Sequence, residues 1–200
     1  MGIESIGRIC CCVVLLAASL FAQSRSEDGG PTAAVAGPSI EVSAGYMYFS
    51  LEGPPSHRMG LNGVNADGIM EFNRHWGATA DVSYAHGKDA FGTPHSANVI
   101  SGLVGPVYYL MQRPRLTIFV HALAGMAFVD SAVPISTTEY LGGWENRFSY
   151  AFGGAVEHVL TGPFAVRVSE DYQHTTFVNS TGASQGENDL RLTGSVVYRF

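Results

Sequence analysis

From residue 39 onward the chain alternates, at a period of two, between large apolar side chains and small or charged ones. Over residues 147–160 the even positions carry Phe148, Tyr150, Phe152, Val156, His158 and Leu160, and the odd positions Arg147, Ser149, Ala151, Gly153, Ala155 and Glu157. The last segment repeats the pattern, with Leu190, Leu192, Val196, Tyr198 and Phe200 against Asp189, Arg191, Thr193, Ser195 and Arg199; the first does so with Val42, Tyr46 and Tyr48 against Glu41 and Ser43. Successive side chains of a strand point to opposite faces, so this period predicts strands with one greasy and one polar face. Eight such segments fall at 39–51, 60–72, 76–86, 97–110, 116–128, 147–160, 164–176 and 188–200. Each reaches the roughly 9 to 11 residues that a tilted strand needs to cross a bilayer, whereas ordinary strands average about five or six.

The connections alternate in length. Asn73-Arg74-His75, Met111 to Arg115 and Thr161-Gly162-Pro163 read as tight turns, and longer links rich in Gly, Ser, Asn, Pro and acids fall at 52–59, 87–96, 129–146 and 177–187. Alternation of short turns with long loops is the pattern of a membrane β-barrel whose turns and termini share the periplasmic side. The prediction is an all-β fold: an eight-stranded antiparallel up-and-down transmembrane β-barrel over residues 39–200, apolar outside and charged inside. The bulk of the apolar face decides its direction, because a small barrel interior has little room while lipid accepts any number of aromatics. The inverted reading, a soluble lipocalin-like carrier, puts Tyr150, Phe152 and Val156 around an internal cavity.

Composition supports the membrane version. Charged residues make up 14% of the chain, low for a water-soluble domain, and Lys+Arg of 11 against Asp+Glu of 17 argues against nucleic acid as a partner. Residues 1–23 read as a signal peptide: Arg8 is the basic n-region, Ile9 to Leu20 the apolar stretch, and Leu20-Phe21-Ala22 the cleavage region. Residues 24–38, Gly/Pro-broken and polar, read as a flexible periplasmic leader. Cys10, Cys11 and Cys12 all lie inside the signal, so the exported chain is expected to lack thiols and the disulfides that export would permit.

The turns also set which polar groups meet. With Gly162 central in its turn, Glu157 and Arg167 lie five residues to either side and are expected to pair across two strands; the turn around Arg74 likewise sets Asp67 opposite Asp81, with Glu71 nearby. The inward set is Glu41, Asp67, Glu71, Asp81, Glu157 and Asp171 facing Arg167, Arg191 and Arg199, with His121 from the fifth strand. Mixed charge in so narrow a lumen predicts a plug of ion pairs rather than an open pore; a narrow ion-conducting path is the alternative. Glu170 breaks the alternation, so either a bulge precedes Asp171 or Glu170 reaches the headgroups.

Catalysis finds little footing. The histidines at 57, 75, 86, 95, 121, 158 and 174 form no HExxH or other metal spacing, no nucleotide fingerprint is present, and period 2 sets His174 on the face opposite Asp171 and Ser169. The reading is therefore a non-enzyme without cofactor or metal, with a lipid-modifying barrel enzyme as the competing class.

FVHALAG (119–125), YAFGGAVEHVLTGPFAVRVSEDYQHT (150–175) and NDLRLTGSVVYRF (188–200) resemble the OmpA-like outer-membrane β-barrel domain family of Gram-negative-type bacteria. The resemblance covers residues 39–200 and is specific for fold and place rather than for activity. It implies residence in the cell outer membrane, contact with its lipids and lipopolysaccharide, and delivery to the barrel-assembly machinery through a C-terminal signal carried by Tyr198 and Phe200. Surface ligands are expected at loops 129–146 and 177–187. Unlike full-length OmpA, the sequence stops at the last strand, so a cell-wall tether is not implied.

Overall fold

A computed structural model describes residues 39–53, 57–88, 96–134, 140–178 and 184–200. Residues 1–38, which hold the expected signal peptide and leader, lie outside the described residues, as do the tips of the longer links. The eight strands are β1 (Ile40–Gly53), β2 (His57–Glu71), β3 (Trp76–Gly87), β4 (Ala97–Arg113), β5 (Leu116–Pro134), β6 (Tyr140–Thr161), β7 (Phe164–Val178) and β8 (Ser184–Arg199). Each pairs antiparallel with its neighbours in sequence, and β8 returns to β1 to close the barrel. Through the closed belt each strand is paired on both sides, a requirement in hydrocarbon, where no water can satisfy a free amide; at the loop end residues 140–148 pair with β5 alone.

The pairing is staggered. Partners stepped around the wall from Phe49 run through Arg191, Asp171, Gly153, His121, Val107, Gly77 and Glu71, whose amide donates to the carbonyl of Ser39 at 2.9 Å, ten residues short of the starting point. A stagger of this kind tilts strands by roughly 35 to 45° and brings residues far apart in sequence to one level of the lumen.

The turns fall where the alternation ends. Gly162 adopts φ 55°, the left-handed region that a side chain disfavours, and so tightens the link between β6 and β7. Asn73 Oδ1 accepts the amides of His75 and Trp76 at 2.9 and 3.0 Å, which fixes the link between β2 and β3. These turns, the β4–β5 turn, Ile40 and Phe200 share one end of the barrel, called here the turn end.

Two expectations are corrected. The strands run further at the loop end than predicted: β5 continues to Pro134, β6 starts at Tyr140, β7 reaches Val178 and β8 starts at Ser184. Much of the segments 129–146 and 177–187, expected as loops, is therefore paired strand. Apolar alternation stops where lipid stops, but backbone pairing continues into water, so hydropathy marks the membrane boundary and not the end of the ladder. The 22 residues of β6 rise about 55 Å at such a tilt, against an apolar band of about 25 Å, so the β5–β6 hairpin stands well clear of the band.

The lumen is also not uniformly charged. Odd-numbered residues face inward in every strand, and towards the loop end those of β1 to β5 are Met47, Phe49, Leu51, Met59, Leu61, Ala85, Ala97, Val99 and Val129, which form a buried apolar cluster. There the alternation inverts: the intervening residues Ser50, Asn62, His86, Asn98 and Asp130 face outward, so polar groups stand on the wall and apolar ones in the lumen.

The outer wall has the expected direction. Phe152, Val156 and Val196 are 56%, 48% and 57% exposed, while Glu157 is wholly buried, which removes the lipocalin-like reading. Phe164, Tyr198 and Phe200 pack edge to face at the turn end, and Tyr46, Tyr84, Phe128 and Phe148 are exposed towards the other, as interfacial girdles.

No bulge precedes Asp171. The β7 register runs unshifted from Arg167 to Thr175, so Glu170 lies on the outer wall between Gly154 and Leu192, in a shallow groove with Phe152, Tyr172 and Leu190. Six residues from Phe164, it stands about 15 Å above the turn-end girdle, near the middle of the apolar band rather than at the headgroups. Lipid-facing carboxylates cost less than the ~2 to 4 kcal/mol of a mid-bilayer arginine. Glu170→Leu is therefore expected to stabilise the barrel by up to about 2 kcal/mol, read as a higher urea midpoint in phospholipid vesicles. A lower midpoint would show that the carboxylate holds a partner.

Candidate functional site in the barrel lumen

Because β6 and β7 pair about Gly162, Glu157 stands opposite Arg167, as the turn spacing predicted. Arg167 Nε and Nη2 donate to Glu157 Oε2 at 2.9 and 2.6 Å. The same guanidinium crosses to the other side of the lumen, where Nη2 donates to Glu41 Oε2 and Nη1 to Asp67 Oδ2, both at 2.7 Å. Ser43 Oγ donates to the remaining oxygen of Asp67, and Arg199 Nη2 to that of Glu157. Phe119 lies under the Arg167 guanidinium, 5.1 Å from ring centroid to Cζ, a cation–π contact. Three acids, Glu41 and Glu157 buried and Asp67 partly so, thus converge on one arginine, whose planar fork can serve several oxygens at once.

A second network lies towards the loop end. Arg191 Nε and Nη2 contact Asp171 Oδ2 at 2.9 and 2.8 Å, and Nη1 donates to Asp81 Oδ1 at 2.7 Å on the far wall. Asn65 Nδ2 completes Asp81 at 2.6 Å, and His121 Nε2 lies 2.5 Å from Asp171 Oδ1. Asp67 and Asp81 are direct partners of β2 and β3, as expected, and each takes its cation from an arginine of the opposite wall. Gly153 makes this possible: a Cβ there would strike the Asp171 carboxylate, so the missing side chain is the space the acid occupies.

Of the ten inward groups named from the sequence, nine, Glu41, Asp67, Asp81, His121, Glu157, Arg167, Asp171, Arg191 and Arg199, are brought into these two networks. Sequence reasoning missed Asn65 and Ser43, which complete acids, and a neutral layer above, where Gln173 Nε2 donates to Ser149 Oγ at 3.0 Å and Ser83 meets Ser101 at 2.6 Å. Their parity was readable, since all are odd-numbered, but nothing in the alternation separates a hydrogen-bonding serine from a space-filling one. Glu71 stays outside the networks, near the turn end, accepting from Gln112 Nε2 at 3.2 Å.

The arrangement leaves little room. The cavity between the networks, lined by Asp67, Asp81, His121, Arg167, Asp171 and Arg191 among others, is about 20 Å³, space for about one water. Among the described residues no group of three or more His, Cys, Asp or Glu side chains is disposed to hold a metal. His174 faces outward, stacked on Tyr150 and 2.8 Å from Asn188 Oδ1, while Asp171 is buried in the lumen; Ser169, Asp171 and His174 are not brought together.

A closed eight-stranded barrel with an apolar outer wall and an ion-paired interior is an integral membrane β-barrel. The family profile described as "Outer membrane protein beta-barrel domain" matches residues 10–200, so the chain belongs to that family and resides in the outer membrane. Among solved structures it is similar to Neisserial surface protein A (TM-score 0.62, 11% identity, covering 80% of this chain and 97% of that one). It is also similar to Ail, the attachment invasion locus protein of Yersinia pestis (0.57, 15%, 82% and 99%), and to OprG of Pseudomonas aeruginosa (0.54, 7%, 82% and 96%). At these identities the likeness concerns the fold. No curated protein matches the sequence.

Proposed function

We propose that this is a non-enzymatic, non-conducting outer-membrane barrel whose lumen holds the wall together and whose loop-end hairpins meet the environment. The observation that carries the reading is the closure of the lumen: two arginines bind across it, the space between them holds about one water, and the apolar cluster around Phe49 and Leu61 lies beyond. No such interior admits a solute or a substrate. Tight turns on one side and extended hairpins on the other support periplasmic turns with the β5–β6 and β7–β8 hairpins outside, where surface ligands would be met. The attachment from which Ail takes its name accords with this role. The partners are outer-membrane lipids, lipopolysaccharide at the loop-side leaflet, and the barrel-assembly machinery, for which Tyr198 and the 76% exposed Phe200 form the signal.

The test is electrical. Protein inserted into planar bilayers, with heat-modifiable gel migration as proof of a closed barrel, is expected to give no steady ohmic current in molar potassium chloride. Uniform single-channel steps from folded protein would overturn the closed lumen in favour of a narrow pore.

A further inference from the structure

Lys88 is exposed at the loop end, and the arginines of the turn end are unevenly placed around its rim. Arg167, Arg191 and Arg199 turn into the lumen, whereas Arg74, Arg113 and Arg115 are exposed at the turn end, on the β2–β3 turn, the end of β4 and the β4–β5 turn. The third turn, Thr161-Gly162-Pro163, carries no charge, so the positive rim is confined to the β2–β5 side.

This side is built rather than merely decorated. Tyr109 N donates to the carbonyl of His75 at 2.9 Å, which ties the Arg74 turn to β4. Directly inward along the wall, Trp76 and Tyr108 are cross-strand partners packed edge to face at 4.9 Å, 49% and 37% exposed, and His75 stacks on the same Tyr108. Leu110, two residues nearer the rim on β4, widens the apolar surface between this pair and Arg113 at 59% exposure. The nearby carboxylate, Glu71, accepts from Gln112 and offsets at most one of the three guanidinium charges, so the rim stays net positive. The arrangement is thus cationic at headgroup depth and aromatic just beneath it, which matches a phosphate diester sitting over a glycerol backbone and the start of an acyl chain.

We propose that the β2–β5 side of the turn-end rim binds an anionic phospholipid of the adjoining leaflet, with Arg74, Arg113 and Arg115 taking the headgroup charge and Trp76, Tyr108 and Leu110 taking its apolar base. The proposal rests on the sidedness of the barrel derived above, and the experiment separates the two. The chain has two tryptophans, so Trp144→Phe leaves Trp76 as the single reporter. This variant is reconstituted into phosphatidylcholine nanodiscs doped, at equal mole fraction, with acyl-brominated phosphatidylglycerol or acyl-brominated phosphatidylcholine. Stronger quenching of Trp76 by the phosphatidylglycerol is expected, equivalent to a local enrichment of roughly fivefold for each arginine engaged. The added variant R74Q/R113Q/R115Q should bring the two lipids to parity.

Equal quenching by both lipids in the Trp144→Phe protein overturns the headgroup site and leaves the barrel's sidedness standing; quenching by neither overturns the sidedness as well. A preference that survives loss of all three arginines overturns their assignment. Should the triple variant lose heat-modifiable migration, single replacements of Arg74, Arg113 and Arg115 in the same background carry the comparison, each expected to remove part of the preference.

Discussion

Replacing Arg167 with methionine is expected to cost the barrel about 3 to 5 kcal/mol, the range for removing one partner of a buried ion pair. The reason is the crowd it serves: Glu157, Glu41 and Asp67 each accept from its guanidinium within 2.9 Å. Methionine fills similar volume, so the loss reports charge rather than a void. Arg199 remains near Glu157 and Glu41, but it is partly exposed, contacts Glu41 only at 3.9 Å, and does not reach Asp67 in the structure. Arg167→Lys should fall between wild type and Arg167→Met, because an ammonium keeps the charge but cannot present a planar fork to three carboxylates. Urea unfolding in phospholipid vesicles, followed by tryptophan fluorescence, measures both. A loss below about 1 kcal/mol for the methionine variant would mean that water or protons already satisfy these acids, and the closed lumen would fall with the network.

How much of this was legible in the sequence depends on the range of each contact. Neighbouring-strand contacts were readable, because a tight turn sets both register and parity: Gly162 alone places Glu157 opposite Arg167, and Arg74 places Asp67 opposite Asp81. The direction of the wall was readable from bulk, since Phe148 and Phe152 alternate with Ser149 and Gly153. Contacts across the lumen were not. Arg167 and Asp67 are 100 residues apart and Arg191 and Asp81 are 110 apart, and they meet only because the stagger of the closed barrel brings opposite walls to one level. Two aspartates set side by side announced a need for cations but not which wall would supply them. The apolar stretch of lumen around Met47, Phe49 and Leu61 was missed for another reason: towards the loop end the faces exchange, with Ser50, Asn62, His86 and Asn98 outward, and a single apolar-out rule for the whole strand does not register the inversion.

The second network should respond differently, because its acids have other partners. Removing Arg191 as Arg191→Met strands Asp81 and Asp171, yet Asn65 still donates to Asp81 and His121 still contacts Asp171. A cost of about 3 kcal/mol is expected, at the low end of the range for a broken buried pair. Neutralising the acids as well, in D81N/D171N/R191M, should recover most of that loss, since a buried pair removed whole is often nearly neutral while one removed by half is not. His121 is the sharper probe. If it shares Asp171 with Arg191, then His121→Gln and Arg191→Met together should cost more than the sum of the two alone, by about 0.5 to 3 kcal/mol, the range for residues of one network. Strict additivity would place His121 outside the network despite its 2.5 Å approach.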